Sequence, residues 1–247
     1  MEYVRFGDGL KQMVILPGIS LKPVTAASQA IMDAYDIFVK DFTVYLFDYA
    51  DDPKEDLKIE DMADDVAEAL KELELKDVYL YGVSMGGMVA QCLCIRYPGL
   101  VRKLALTSTV SRVASNDKTS SWLKCAMDKD ILGLVSNFMK DVYTDELYEQ
   151  LIDATLPMYK DLSDEELRAF TIRLKAAEQF DVSEELYKID IPVLVLGSKC
   201  DRVFDWNQMA QTAQILNCES YFYEGYSHAV YDEADDIKQR ILDFYLR

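Results

Sequence analysis

A serine framed by glycines, Gly82-Val83-Ser84-Met85-Gly86, is followed downstream by Asp201 and then by His228, the only histidine in 247 residues. A serine hydroxyl is a weak nucleophile until a base takes its proton, and an imidazole does so when a carboxylate holds it in the right tautomer. These three residue types point to acyl transfer through Ser84, with His228 as base and Asp201 as orienting acid. Their order along the chain, Ser then Asp then His, is one in which that chemistry occurs. Gly82 and Gly86 leave room for a turn tight enough to hold the hydroxyl clear of the backbone. Asp205 is the alternative acid, although a residue there could equally cap a helix or lie at the surface. Asp201 is preferred because it closely follows an apolar strand, where site residues of open parallel sheets collect.

Such a constellation needs rigid elements to hold it. Lys76–Tyr81 reads as a short buried strand leading into the serine, and Gly87–Ile95 as the buried helix leaving it. Gln12–Leu16, Thr43–Phe47, Leu104–Thr107, Val193–Gly197 and Ser220–Tyr223 are further strand-like apolar runs. Between Ile59 and Leu75, Met62, Val66, Leu70 and Leu73 recur at helical spacing among acidic neighbours, and the final helix carries Ile237, Ile241 and Phe244. Strands alternating with helices predict an α/β class with a mainly parallel twisted sheet flanked by helices. One stretch breaks the alternation: from about Ser111 to Tyr187 strand patterns vanish and helical segments follow one another. There Ser163 and Glu166 form a capping box and Pro157 closes the preceding helix. Because ordinary strand-to-helix loops are a few residues long, this stretch is expected to be an inserted lid. The division is therefore a core of residues 1–110 and 188–247 with a helical lid at 111–187.

On these residues the chain resembles the lidded α/β-hydrolases over essentially its full length. The likeness rests on Gly82 to Gly87, on Gly197-Ser198-Lys199-Cys200-Asp201 and on Gly225-Tyr226-Ser227-His228. The resemblance implies that Ser84, Asp201 and His228 are the catalytic residues. It also implies an oxyanion hole built from the backbone N–H of Met85 and of Ile19, in Leu16-Pro17-Gly18-Ile19-Ser20. Two departures stand out: Pro17-Gly18 replaces the usual His-Gly pair, and Tyr49-Ala50-Asp51-Asp52-Pro53 replaces a glycine-rich turn. The implied activity is hydrolysis of a small carboxylic ester, thioester or similar acyl compound. The same fold also hosts lyases, C–C bond hydrolases, cofactor-free peroxidases and small-molecule receptors, so a non-hydrolytic role is the alternative. Trp122, Met127, Phe138, Met139, Tyr143, Tyr159 and Phe170 of the lid suggest a mostly apolar acyl or alkyl pocket.

Composition narrows the partners. The net charge is −18, densest between Asp48 and Asp65, which disfavours nucleic acid and anionic membrane surfaces; the charge reads first as a solvated, self-repelling surface, with a bias toward neutral or cationic substrates as the alternative. No run of eighteen apolar residues and no signal-like N-terminus is seen, so a soluble cytoplasmic protein is expected. The odd count of five cysteines predicts reduced thiols. With one histidine and no C-x-x-C, neither a metal nor a cofactor is expected. Oligomeric state is not written in the sequence.

Overall fold

The computed structural model describes residues 1–114 and 117–247. The first half alternates strand and helix: β1 (Tyr3–Phe6), β2 (Lys11–Leu16), α1 (Ser28–Ala34), β3 (Phe42–Phe47), α2 (Ile59–Glu72), β4 (Val78–Val83), α3 (Met85–Arg96) and β5 (Val101–Thr107). Among the described residues four helices follow without a strand: α4 (Asp117–Met127), α5 (Ile131–Val142), α6 (Asp145–Thr155) and α7 (Asp164–Glu178). The alternation then resumes with β6 (Val193–Ser198), α8 (Trp206–Ile215), β7 (Glu219–Tyr223), α9 (Val230–Glu233) and α10 (Ile237–Leu246).

The strands form one sheet in the order β1-β3-β2-β4-β5-β6-β7. Only β1 runs antiparallel, against β3; the other pairings are parallel. Uniformly apolar strands are the signature of a sheet covered on both faces, and successive residues here divide between two layers. Val14, Leu16, Val78 and Leu80 join the core built with α2, α3 and α8. Their neighbours Met13, Ile15, Tyr79 and Tyr81 pack with Tyr35, Phe38 and the apolar face of α10.

The helical stretch begins and ends at one place. Val182 N–H donates to Ser111 O at 2.8 Å and Val113 N–H to Phe180 O at 3.0 Å, around an antiparallel bridge between Arg112 and Asp181. Inside the stretch α7 opens with the expected capping box: Ser163 Oγ accepts from Glu166 N–H, and the Glu166 carboxylate from Ser163 N–H. Part of the acidic stretch acts as struts. Asp52 and Glu55 pair with Arg168 of α7, and Asp64 takes a bidentate Arg96 and the Tyr97 hydroxyl. Among the described residues no helix is long and apolar enough to cross a membrane.

Candidate active site

The serine is positioned by a turn that few sequences tolerate. Ser84 adopts φ 51° and ψ −120°, a left-handed conformation that costs a non-glycine residue about 1–3 kcal/mol. Crowding explains the glycines: a Cβ on Gly82 would lie 2.7 Å from Gly86 O, and one on Gly86 only 2.1 Å from Leu16 O. The close approach of β2, β4 and α3 leaves no space for a side chain at either position. Although Ser84 opens α3, its side chain makes no capping bond, so the hydroxyl is left for another partner.

That partner is His228. Its Nε2 lies 2.9 Å from Ser84 Oγ, and its Nδ1 lies 2.8 Å from Asp201 Oδ2. The carboxylate can only accept, so Nδ1 carries the proton and Nε2 presents a lone pair to the hydroxyl. Asp201 is itself fixed, since its Oδ1 accepts from the N–H groups of Val203 and Phe204 at 2.7 and 2.9 Å. Phe204 and Tyr231 meet the imidazole edge-on, at centroid distances of 5.4 and 6.4 Å. Asp205 is elsewhere, capping α8 through a bond from Asn207 N–H.

The segment carrying His228 is tied on two sides. Ser108, after β5, donates to His228 O at 2.6 Å, while Ser227 Oγ donates to Asp141 O and Ala229 N–H to Val142 O, both on α5. Trp122 of α4 donates to the Asp141 carboxylate at 3.0 Å. Ser108, Ser227 and Asp141 were not singled out by sequence; only Ser227, beside the histidine, stood in a motif.

Ile19 and Met85 line the same cavity as Ser84 and His228. The two departures from the family pattern meet here. The Tyr49 hydroxyl donates to Pro17 O at 2.9 Å, tying the Ile19 loop from across the cleft. Burial pushes the Tyr49 phenol well above its ordinary range, so it remains a donor. Arg173 of α7 lies 5.9 Å from the Tyr49 ring centroid and donates to Ala50 O at 2.5 Å. The helical stretch thus braces the same loop.

The cavity over Ser84 is about 40 Å³, mostly apolar, with Met88, Trp122, Phe138 and Leu174 in its walls. Beside it opens a cavity of about 280 Å³ that includes Tyr143 and Tyr159. Of the other aromatic and Met candidates, Met139 and Phe170 pack within the core, whereas Met127 is 70 % exposed and turned away. Among the described residues no group of three or more His, Cys, Asp or Glu is placed to hold a metal ion.

A sequence profile of the alpha/beta hydrolase fold matches residues 34–235, most of the chain. The chain belongs to the α/β-hydrolase family. Two 3-oxoadipate enol-lactonases of Acinetobacter baylyi are 21 % identical over 146 residues and 20 % over 174, covering 59 and 70 % of this α/β-hydrolase. These matches span 55 and 65 % of the relatives' own lengths, less than two thirds in each case. An α/β-hydrolase enzyme from a Medee basin deep-sea metagenome library superposes with a TM-score of 0.88 at 19 % identity, covering 100 % of this chain and 94 % of the other. The enol-lactonase from Burkholderia xenovorans LB400 gives 0.83 at 21 % identity, with coverage of 100 and 96 %. At such identities the structural likeness speaks to the fold.

Proposed function

We propose that this α/β-hydrolase cleaves a small carboxylic ester, thioester or related acyl compound through an acyl-enzyme on Ser84. The reading is carried by the series Ser84 Oγ, His228 Nε2, His228 Nδ1 and Asp201 Oδ2, joined by hydrogen bonds of 2.9 and 2.8 Å. As Ser84 Oγ attacks the acyl carbon its proton passes to His228 Nε2, and Asp201 stabilises the imidazolium. The carbonyl electrons move to oxygen, where the N–H groups of Met85 and Ile19 stabilise the oxyanion. That of Met85 stands in the first turn of α3, unused by the helix and at its positive end. Collapse expels the leaving group, which takes the proton from Nε2. A water then repeats the sequence on the acyl-enzyme and restores the Ser84 hydroxyl.

A cavity of about 40 Å³ suits a short acyl group. Residues 111–187 act as a lid over it, since Trp122 and Phe138 form its roof while Arg173 reaches the loop that carries Ile19 by way of Tyr49. The test is labelling by a fluorophosphonate together with turnover of p-nitrophenyl acetate. Ser84→Ala should abolish labelling and lower turnover by about 10⁴- to 10⁶-fold. Equal turnover by Ser84→Ala and the parent would refute the assignment. An intact fold that is not labelled and turns over no activated ester would favour a non-hydrolytic role.

A further inference from the structure

The cavity beside the nucleophile differs in chemistry from the one above it. The two share walls at Gly18, Ile19, Phe138, Val142 and Tyr231, so a molecule reacting at Ser84 can extend from one to the other. Both are mostly apolar, but the larger, about 280 Å³, adds four phenols, Tyr35, Tyr143, Tyr159 and Tyr231, and the Asp232 carboxylate to an aliphatic wall that includes Ile31, Leu46 and Val83. Asp232 stands one turn beyond His228, solvent reaches it, and it faces into this crevice.

We propose that this second cavity is a leaving-group subsite for an alcohol or thiol bearing an ammonium group, which makes the substrate a short acyl ester of a cationic alcohol. The proposal rests on the hydrolytic reading above. Aromatic rings and a carboxylate lining one cavity suit an ammonium, because the ring quadrupole and the carboxylate both attract a cation. The phenols are kept neutral here by burial, so they offer π faces and hydroxyl dipoles and add no charge. Tyr231, which lines both cavities, stands beside the His228 imidazole, the group that would protonate the departing alcohol or thiol.

Lys238 is the charged group that acts most on Asp232, Glu233 follows, and the Tyr143 hydroxyl donates to the carboxylate. Glu233, on the same short helix, is taken up by the N–H and hydroxyl of Thr144. Lys238 donates to Tyr231 O at 3.0 Å and lies 5.4 Å from the Tyr35 ring centroid, and Lys22 lies 5.8 Å from that of Tyr159. Two phenols of this wall therefore already hold ammonium groups of the chain. Beyond these residues, the net charge of −18 draws cations toward the protein from a distance.

Acetylthiocholine, its neutral isostere 3,3-dimethylbutyl thioacetate and an anionic carboxypropyl thioacetate test the proposal in 0.5 M NaCl, where long-range steering is screened. The parent should favour the cation over the isostere in kcat/KM by about tenfold or more, the scale of a cation–π contact assisted by a carboxylate. The anionic ester should be the poorest. Asp232→Asn should bring the cation-to-isostere ratio close to one, and Asp232→Glu should keep it above one. A ratio of one in the parent, or an unchanged ratio in Asp232→Asn, would overturn the proposal. A preference for a trimethylammonio group in the acyl half would overturn the leaving-group assignment. Choline binding to Ser84→Ala by calorimetry separates the subsite from the chemistry. Binding that Asp232→Asn abolishes supports the subsite even if no ester is hydrolysed, and absence of choline binding counts against it even if esters are.

Discussion

Asparagine at position 201 tests the relay more sharply than loss of the nucleophile. In Asp201 one carboxylate oxygen accepts two backbone N–H groups while the other faces His228 Nδ1. An asparagine must choose which end of its amide meets which partner. With its oxygen on Val203 and Phe204, its NH₂ points at Nδ1, the imidazole moves its proton to Nε2, and no lone pair is left for Ser84. The reverse orientation restores the productive tautomer but sets an NH₂ against two buried N–H donors. Leaving buried donors unsatisfied costs about 1–3 kcal/mol each, so that orientation lies about 2–6 kcal/mol higher. At a factor of ten per 1.36 kcal/mol, the productive form falls to about one molecule in 30 to one in 10⁴. Asp201→Asn should therefore lower kcat on p-nitrophenyl acetate by about 30-fold to 10⁴-fold, with KM and the thermal midpoint little changed. Asp205→Asn, which touches only the start of α8, should cost less than about twofold in kcat and a fraction of the roughly 1 kcal/mol of a helix cap. A loss below tenfold in Asp201→Asn, or a larger loss in Asp205→Asn, would refute the reasoning.

Tyr49→Phe removes the bond to Pro17 O, worth about 0.5–1.5 kcal/mol, and should lower kcat/KM by about two- to tenfold and the urea midpoint in proportion to that energy; parent-like kinetics would mean the Ile19 loop needs no brace. Gly86→Ala drives a methyl into Leu16 O and should yield insoluble or strongly destabilised protein, checked by circular dichroism. Among the cysteines, Cys200 is exposed whereas Cys92 is buried, with its thiol pushed up to about 12 by burial, so mass spectrometry should find iodoacetamide on Cys200 first and Cys92 untouched in native protein. Desolvation by the surrounding crevice walls, although solvent still reaches the group, pushes the Asp232 carboxyl up to about 6, with Lys238 opposing and Glu233 adding to the rise. An acid whose pKa is raised is charged above that value and neutral below it, so the acetylthiocholine-to-isostere ratio should fall as pH drops through about 6; taking the ratio cancels any effect of His228, and a flat ratio from pH 5 to 8 would contradict the role of Asp232.

What the sequence discloses follows from which interactions are local. The serine turn is legible because its steric demand falls on Gly82 and Gly86, two residues on either side of Ser84. The parallel strands are legible because burial on both faces requires unbroken apolar runs. β1 is not, since Tyr3–Phe6 is a half-exposed antiparallel edge whose alternation lasts four residues. Asp201 could be ranked over Asp205 from its place after β6, but its two backbone donors emerge only from the fold of 201–204. The bond from Tyr49 to Pro17 joins positions 32 apart, so each looked merely like a departure from pattern. The candidate lid residues diverged for the same reason. Trp122 and Phe138 reach the cavity while Met127 meets solvent, and composition alone does not tell which side of a helix faces the sheet.

The paired segments around Arg112 and Asp181 carry a consequence for how this fold diversifies. Because the chain leaves the sheet and returns to it through one pinned doorway, chain continuity by itself asks of the intervening stretch only that it span the distance between the two jambs. Closing a loop whose ends are already fixed costs only about 0.6 kcal/mol for each doubling of its length. Chain closure accordingly leaves the exposed α6 free to change in length, whereas α5 is held by the bonds of Ser227 and Ala229 to Asp141 O and Val142 O and α7 by that of Arg173 to Ala50 O. On the proposed function, substrate preference can thus be sampled in the outer part of the stretch, while α5 must be inherited together with the segment that carries His228.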